Sequence, residues 1–131
     1  ATLEDAGLKV HVSGDAHIGI DAGLVRRALS NLLSNASRYA APGSTIAVVI
    51  DTQPDGVWVK VANRGEPVPV DVLPNLFKRF FRAERSRTDS SEHHGLGLAI
   101  VAAIARMHGG QTRATSRSGI TEISFSMKPE G

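Results

Sequence analysis

The segment "LVRRALSNLLSNASRYA" sets the strongest limit on what this chain can become. Its apolar residues Val25, Ala28, Leu29, Leu32, Leu33 and Ala36 recur at alternating steps of three and four. That spacing demands a helix with one buried face, and such a face needs a flat apolar partner. Asp21 reads as the N-cap, and "AAPGS" ends the helix after about Tyr39. The partner is written in short strands. "LKVHVSG" and "AHIGI" precede the helix. "STIAVVID" and "GVWVKVA" form a hairpin around Thr52–Gly56, whose "PDG" is turn chemistry. "QTRATSR" and "TEISFSMK" form a second hairpin around Ser118–Gly119. Between them "DVLPNLF" reads as a short helix or turn. Leu96 to His108 reads as a second long helix, apolar nearly all round and therefore well buried, closed by Gly109–Gly110. This order predicts a two-layer α/β sandwich: a mixed, mainly antiparallel sheet of about five strands, covered on one face by about three helices. It lacks the regular βαβ alternation of a doubly wound nucleotide fold.

Length and composition narrow the function classes. The 131 residues suit a single domain, 1–131, and 41% apolar content permits a real core. Lys and Arg number 15 against 13 Asp and Glu, a net charge of +2, so the balance as a whole does not call for nucleic acid. The charge is unevenly placed: "KRFFRAERSR" holds Lys78, Arg79, Arg82, Arg85 and Arg87 against Glu84, a solvated loop or a face for an anion. The absence of cysteine excludes disulfides, zinc–thiolate sites and thiol chemistry. No signal peptide and no run of eighteen apolar residues is present, so the expectation is a soluble piece of a longer protein.

Three local patterns carry chemistry. On the first helix Asn31, Asn35 and Arg38 form a second stripe. At 100° per residue Asn35 lies about 20° from Ala28, at the border of core and solvent. Asparagine costs about 0.5 kcal/mol relative to alanine in a helix. Two of them one turn apart therefore suggest a use for their amides, as ligands of a hard cation with Arg38 near a phosphate, or as a polar flank bonded to a neighbouring loop. The second pattern, "NRGEPVP", closes a strand with Asn63-Arg64-Gly65. Asn63 offers an acceptor and a donor, a pattern that suits an adenine edge, and a glycine lets a planar ligand approach; an ordinary turn remains the alternative. In the third, "HHGLGLAIV", Gly95 and Gly97 flank a helix start, where unpaired N–H groups and the helix dipole favour anions. A flexible joint before a core helix is the alternative there.

Taken together and in this order, the patterns resemble the ATP-binding catalytic domain of sensor histidine kinases, the Bergerat-fold superfamily shared with type II topoisomerases, a heat-shock chaperone and a mismatch-repair protein. "NLLSNASRYA" resembles the family's asparagine box, "NRGEPVP" the first glycine box, "LFKRFFR" the phenylalanine box and "GLGLAIV" the second glycine box; "GITEISFSM" resembles its closing hairpin. The likeness runs from about Asp15 to Met127. It implies ATP and Mg²⁺ as ligands. Asn35 would hold Mg²⁺, and Asn31 and Arg38 would contact phosphates or order the site. Tyr39 would sit near the nucleotide, and Asn63 and Gly65 would read adenine. Val68 would line the pocket, with Thr121 on the strand behind it. Gly95, Leu96, Gly97 and Leu98 would turn N–H groups to the phosphates. Residues 82–94 would form the lid, with Arg82 at its base and Phe77, Phe80 and Phe81 as its anchors.

The resemblance also implies what the chain lacks. Members that hydrolyse ATP tend to carry Glu at the first position of the asparagine box. Asn31 cannot act as a base, so the domain is expected to bind Mg-ATP, present the γ-phosphate and hydrolyse it poorly. None of His11, His17, His93, His94 and His108 has the context of a phosphoacceptor. The acceptor would stand on a separate dimerisation domain of the same protein, absent from this chain, with relay to a response regulator. The parent is expected to be a membrane-bound homodimer with this domain cytoplasmic and monomeric, and no nucleic-acid partner is expected. Three positions depart from the pattern: Asn63 where Asp is usual, and Pro67 and His93 where Gly is common. They predict adenine recognition that is retained but weaker and less strict, and stiffer loops. They also motivate the alternative of a nucleotide-binding regulatory module with little kinase activity.

Overall fold

The computed structural model describes residues 9–13, 21–78 and 97–128. Five strands, two α-helices and one 3₁₀ turn follow one another as β1 (Lys9–Ser13), α1 (Ala22–Tyr39), β2 (Thr45–Gln53), β3 (Gly56–Arg64), the 3₁₀ turn Leu73–Asn75, α2 (Gly97–Met107), β4 (Thr112–Arg117) and β5 (Ile120–Met127). The sheet order is β1-β2-β3-β5-β4. Four strands form an antiparallel array, and β1 joins its edge parallel to β2. The two-layer α/β sandwich read from the sequence is the architecture. "DVLPNLF" supplies the 3₁₀ turn rather than a third α-helix among the described residues. The expected strand "AHIGI" lies outside the described residues.

Each element ends where its chemistry dictates. Asp21 caps α1 by accepting the Leu24 N–H at 3.1 Å. Helix α2 closes on the Gly109–Gly110 pair. The Gly110 N–H bonds back to the Ala105 carbonyl at 2.8 Å and the Gly109 N–H to that of Arg106 at 3.0 Å, with Gly109 at φ 71°, a Schellman closure. The turn between β4 and β5 puts Ser118 at φ 56° and Gly119 at φ 76°. Positive φ at both positions is the type I′ turn that suits hairpin twist.

The core lies between the helices and one face of the sheet. Ala28, Leu32 and Ala36 of α1 and Val101, Ile104 and Ala105 of α2 meet Ile46, Val48, Val57, Val59, Val61, Ile123, Phe125 and Met127. Val25, Leu29 and Leu33 pack at its margin, so the stripe on α1 is buried as its spacing requires. Helix α2 departs from its sequence reading: Leu98, Ile100 and Ala103 are half-buried and Met107 is 67% exposed. A helix at the edge of a two-layer fold has only one side to bury, whatever its composition. Trp58 is buried on the opposite face of the sheet, under the Arg113 guanidinium at 4.1 Å, with its indole N–H on Asp55 Oδ1 at 2.9 Å. Among the described residues no helix is long and apolar enough to cross a membrane.

Candidate functional site

Helix α1 carries the site's length. The Asn31 Nδ2 donates to the Gly97 carbonyl at 3.1 Å, tying α1 to the first residue of α2. Eight residues further on, the Tyr39 carbonyl abuts Gly65, where any Cβ would collide with it. At 1.5 Å per residue the two glycine segments therefore meet α1 about 12 Å apart. Asn35 lies midway. Its amide, half-buried, makes no hydrogen bond among the described residues. The two asparagines thus divide: one holds the helices together, and the other has its capacity unspent among the described residues. Arg38 stands 5.6 Å from the ring centroid of Tyr39.

At the far end, β3 and β5 place Asn63 directly opposite Thr121. Both are buried, at 5% and 7% exposure. The Asn63 Nδ2 leans on the Arg64 carbonyl at 3.3 Å, while its Oδ1 has no hydrogen-bond partner among the described residues. A buried acceptor without a partner is costly, and native structures rarely leave one unless something else satisfies it. The backbone around it is fixed: the Gly65 N–H bonds to the Gly119 carbonyl at 3.0 Å, and the Ala41 N–H to that of Arg64 at 2.7 Å. The glycine at 65 has a reason within the fold itself, since the Tyr39 carbonyl excludes a side chain there.

Gly97 is different. A Cβ there would meet no other described residue within 4 Å, φ is not positive, and the residue is exposed. Nothing in the described protein requires a glycine, and the helix start it opens is the kind that accepts an anion. Leu98, half-buried, packs its side chain against the core. Val68 is half-buried, and its N–H donates to Ser116 Oγ at 2.9 Å. Ser116 in turn sits 3.0 Å from Thr121 Oγ1. Sequence reasoning missed Ser116, although the signal was present: a two-residue turn at Ser118–Gly119 puts Ser116 opposite Thr121. It also missed His108, whose Nε2 accepts the Asp21 N–H at 3.2 Å while Nδ1 donates to the Ile104 carbonyl at 2.8 Å, joining the start of α1 to the end of α2. Phe77 packs at the core margin. Arg82, Gly95, Leu96, Phe80, Phe81 and the expected lid at 82–94, with His93 and His94, lie outside the described residues.

No group of three or more His, Asp or Glu side chains that could hold a metal occurs among the described residues. The donor set on α1 is instead a single amide oxygen. It fits a Mg²⁺ ion, which binds through few protein groups when substrate phosphates and water complete its shell. The buried Asn63 acceptor and the open approach at Gly97 fit the two ends of a nucleotide.

Residues 20–131 match the family described as histidine kinase-, DNA gyrase B-, and HSP90-like ATPase. The chain is similar to the sensor protein CzcS of Cupriavidus metallidurans, with 43% identity over 113 residues that cover 86% of this chain and 24% of that protein. It is similar to the sensor histidine kinase CusS of Escherichia coli K12, with 44% identity over 117 residues, 88% of this chain and 24% of that protein. The chain thus spans about a quarter of the length of these relatives. The structure is similar to that of the mycobacterial sensor histidine kinase MprB, with a TM-score of 0.80 and 25% identity, covering 98% of this chain and 92% of that one. The chain belongs to the histidine kinase-, DNA gyrase B- and HSP90-like ATPase family, and within it to the ATP-binding domains of sensor histidine kinases.

Proposed function

We propose that this domain binds Mg-ATP along α1 and donates the γ-phosphate to a histidine on a separate dimerisation domain of its parent protein, for relay to a response regulator. The observation that carries the reading is a pair of polar groups without partners among the described residues: the buried Asn63 Oδ1 at one end and the Asn35 amide in the middle, with the glycine start of α2 beyond them. Asn63 would accept from the adenine amino group, opposite Thr121. Asn35 would hold Mg²⁺ through its amide oxygen, and the bound ion would neutralise charge on the triphosphate. Gly95, Leu96, Gly97 and Leu98 would offer backbone N–H groups to the phosphates, with Arg38 and Arg82 as cations. Asn31 bonds to Gly97 and carries no group that can take a proton from water. It orders the site, and ATP hydrolysis by the domain alone is slow.

Calorimetric titration with ATP, ADP and GTP, with and without Mg²⁺, tests this. Saturable ATP binding strengthened by Mg²⁺ is expected, and no saturable binding at millimolar ATP would overturn the reading. Adding the parent's dimerisation domain should yield phosphohistidine. Tight ATP binding without phosphohistidine would favour a regulatory nucleotide-binding module instead.

A further inference from the structure

We infer that Ser116 is a positioning residue of the adenine end: it acts through Thr121 on the ring nitrogen N1, and it couples that contact to the loop carrying Val68. The inference rests on the reading of Asn63 and Thr121 as the adenine end.

Two contacts define the arrangement. The Val68 N–H donates to Ser116 Oγ at 2.9 Å. Ser116 has one hydroxyl proton of its own, and Thr121 Oγ1 lies 3.0 Å away. Either hydroxyl can donate across that contact; with Ser116 as the donor, the Thr121 proton is left for another partner. Each hydrogen bond in such a chain polarises the next. Beside it, the Asn63 Nδ2 faces the Arg64 carbonyl. Flipping that amide would set two oxygens against each other, so Nδ2 stays on the Arg64 carbonyl and Oδ1 is left without a partner among the described residues. With Ser116 as the donor to Thr121, the buried floor presents one acceptor, Asn63 Oδ1, and one donor, the Thr121 hydroxyl. Adenine offers the complement, an amino donor at C6 and an acceptor at N1. A neutral asparagine in place of a carboxylate would loosen base recognition if its amide turned; the bond to the Arg64 carbonyl opposes that turn.

Ser116 also has a second role through the same oxygen. It is half-buried on β4, at the junction of floor and wall. The loop after Gly65 is pinned to the hairpin by Val68 on Ser116 and by the Gly65 N–H on Gly119. Removing the hydroxyl releases the wall and the Thr121 rotor together.

The test compares ATP with 1-deaza-ATP, which keeps the amino group and lacks N1. Affinities are measured with Mg²⁺ present for the wild type, Ser116→Ala, Ser116→Thr, Thr121→Val and the double variant Ser116→Ala/Thr121→Val, each checked for folding by Trp58 fluorescence. The wild type should prefer ATP by about tenfold, the worth of one hydrogen bond. Ser116→Ala should erase most of that preference, Ser116→Thr should restore it, and the double variant should lose no more of it than Thr121→Val alone. A merely structural loosening lowers both affinities and leaves the ratio untouched, and that result overturns the inference. Should Ser116→Ala fail to fold, Ser116→Thr decides: a collapsed ratio despite a retained hydroxyl, with Thr121→Val leaving the ratio at the wild-type value, overturns it equally. If the wild type does not bind ATP, the reading of the site falls and the inference with it; ATP binding with an unchanged ratio defeats the inference alone.

Discussion

One face of β3 and β5 carries two stretches in the same register with opposite obligations. Val57, Val59 and Val61 stand opposite Met127, Phe125 and Ile123, and all six are buried. The next pair along the same face is Asn63 with Thr121, equally buried. The apolar stretch is complete in itself, because packing against α1 and α2 uses everything those side chains offer. The polar stretch is incomplete, since Asn63 Oδ1 is buried without a partner among the described residues. The first stretch carries stability, and the second is where the proposed function puts recognition, although one pleat runs through both.

The largest effect expected from breaking this comparison is at the core end. Phe125 is fully buried, so Phe125→Ala should cost about 3–5 kcal/mol, a large share of a domain's usual margin. Urea unfolding followed through Trp58, the one tryptophan, measures it. A loss under about 1 kcal/mol would mean that the apolar stretch does not carry the fold.

The matching change at the other end should do the reverse. Asn63→Val extends the apolar stretch by one pair and removes the orphaned acceptor. Stability should hold or rise by about 1 kcal/mol, while ATP affinity falls at least tenfold. A variant that loses stability and keeps its ATP affinity would place Asn63 in the core instead of the site.

How much of this was legible in the sequence follows from the same contrast. Patterns that repeat were readable: the stripe on α1, the two hairpins, and the Asp21 cap, which fell where the spacing put it. The asparagine pair was readable as a pair, because two poor helix formers one turn apart need a reason. Its division was not, since nothing local says that Asn31 meets Gly97 across 66 positions of chain. The close approach at Gly65 was not readable for the same reason, its constraint coming from Tyr39 in another element. The burial of α2 was overestimated because composition reports what a helix can bury and not how many neighbours it has; Met107 has few.

That division sharpens into a smaller prediction. Asn31→Ala should cost about 1 kcal/mol through the lost bond to Gly97, partly offset by better helix propensity. Asn35→Ala loses no bond within the described protein and should gain about 0.5 kcal/mol. For nucleotide binding, Asn35→Ala should remove the Mg²⁺-dependent part of ATP affinity and leave adenosine affinity in place. Equal losses of ATP and adenosine affinity would contradict the assignment of Asn35 to the metal.

The smallest effect lies on the other side of the sheet, where polar groups satisfy one another. Asp51 accepts from the Gln53 amide at 2.8 Å and from Lys60 Nζ at 3.1 Å. These hold its carboxyl below the usual aspartate value: the Gln53 hydrogen bond is the largest single cause, the Lys60 hydrogen bond and charge add to it, and desolvation opposes them. A carboxyl more acidic in the folded state stabilises the protein above its unfolded value of about 3.9, and that contribution is lost as pH falls through the folded value. Asp51→Asn keeps the shape and an acceptor but removes the charge. Its melting temperature should therefore lie slightly below that of the wild type at pH 7, and the gap should close below about pH 4. Because the leading contribution is a hydrogen bond from a neutral amide, salt should narrow the gap at pH 7 without erasing it; the ion pair is exposed enough for salt to screen. A gap that vanished entirely in 1 M salt would make the pair purely electrostatic. This face would then differ from the Asn63–Thr121 end only in exposure, and not in how its hydrogen bonds are spent.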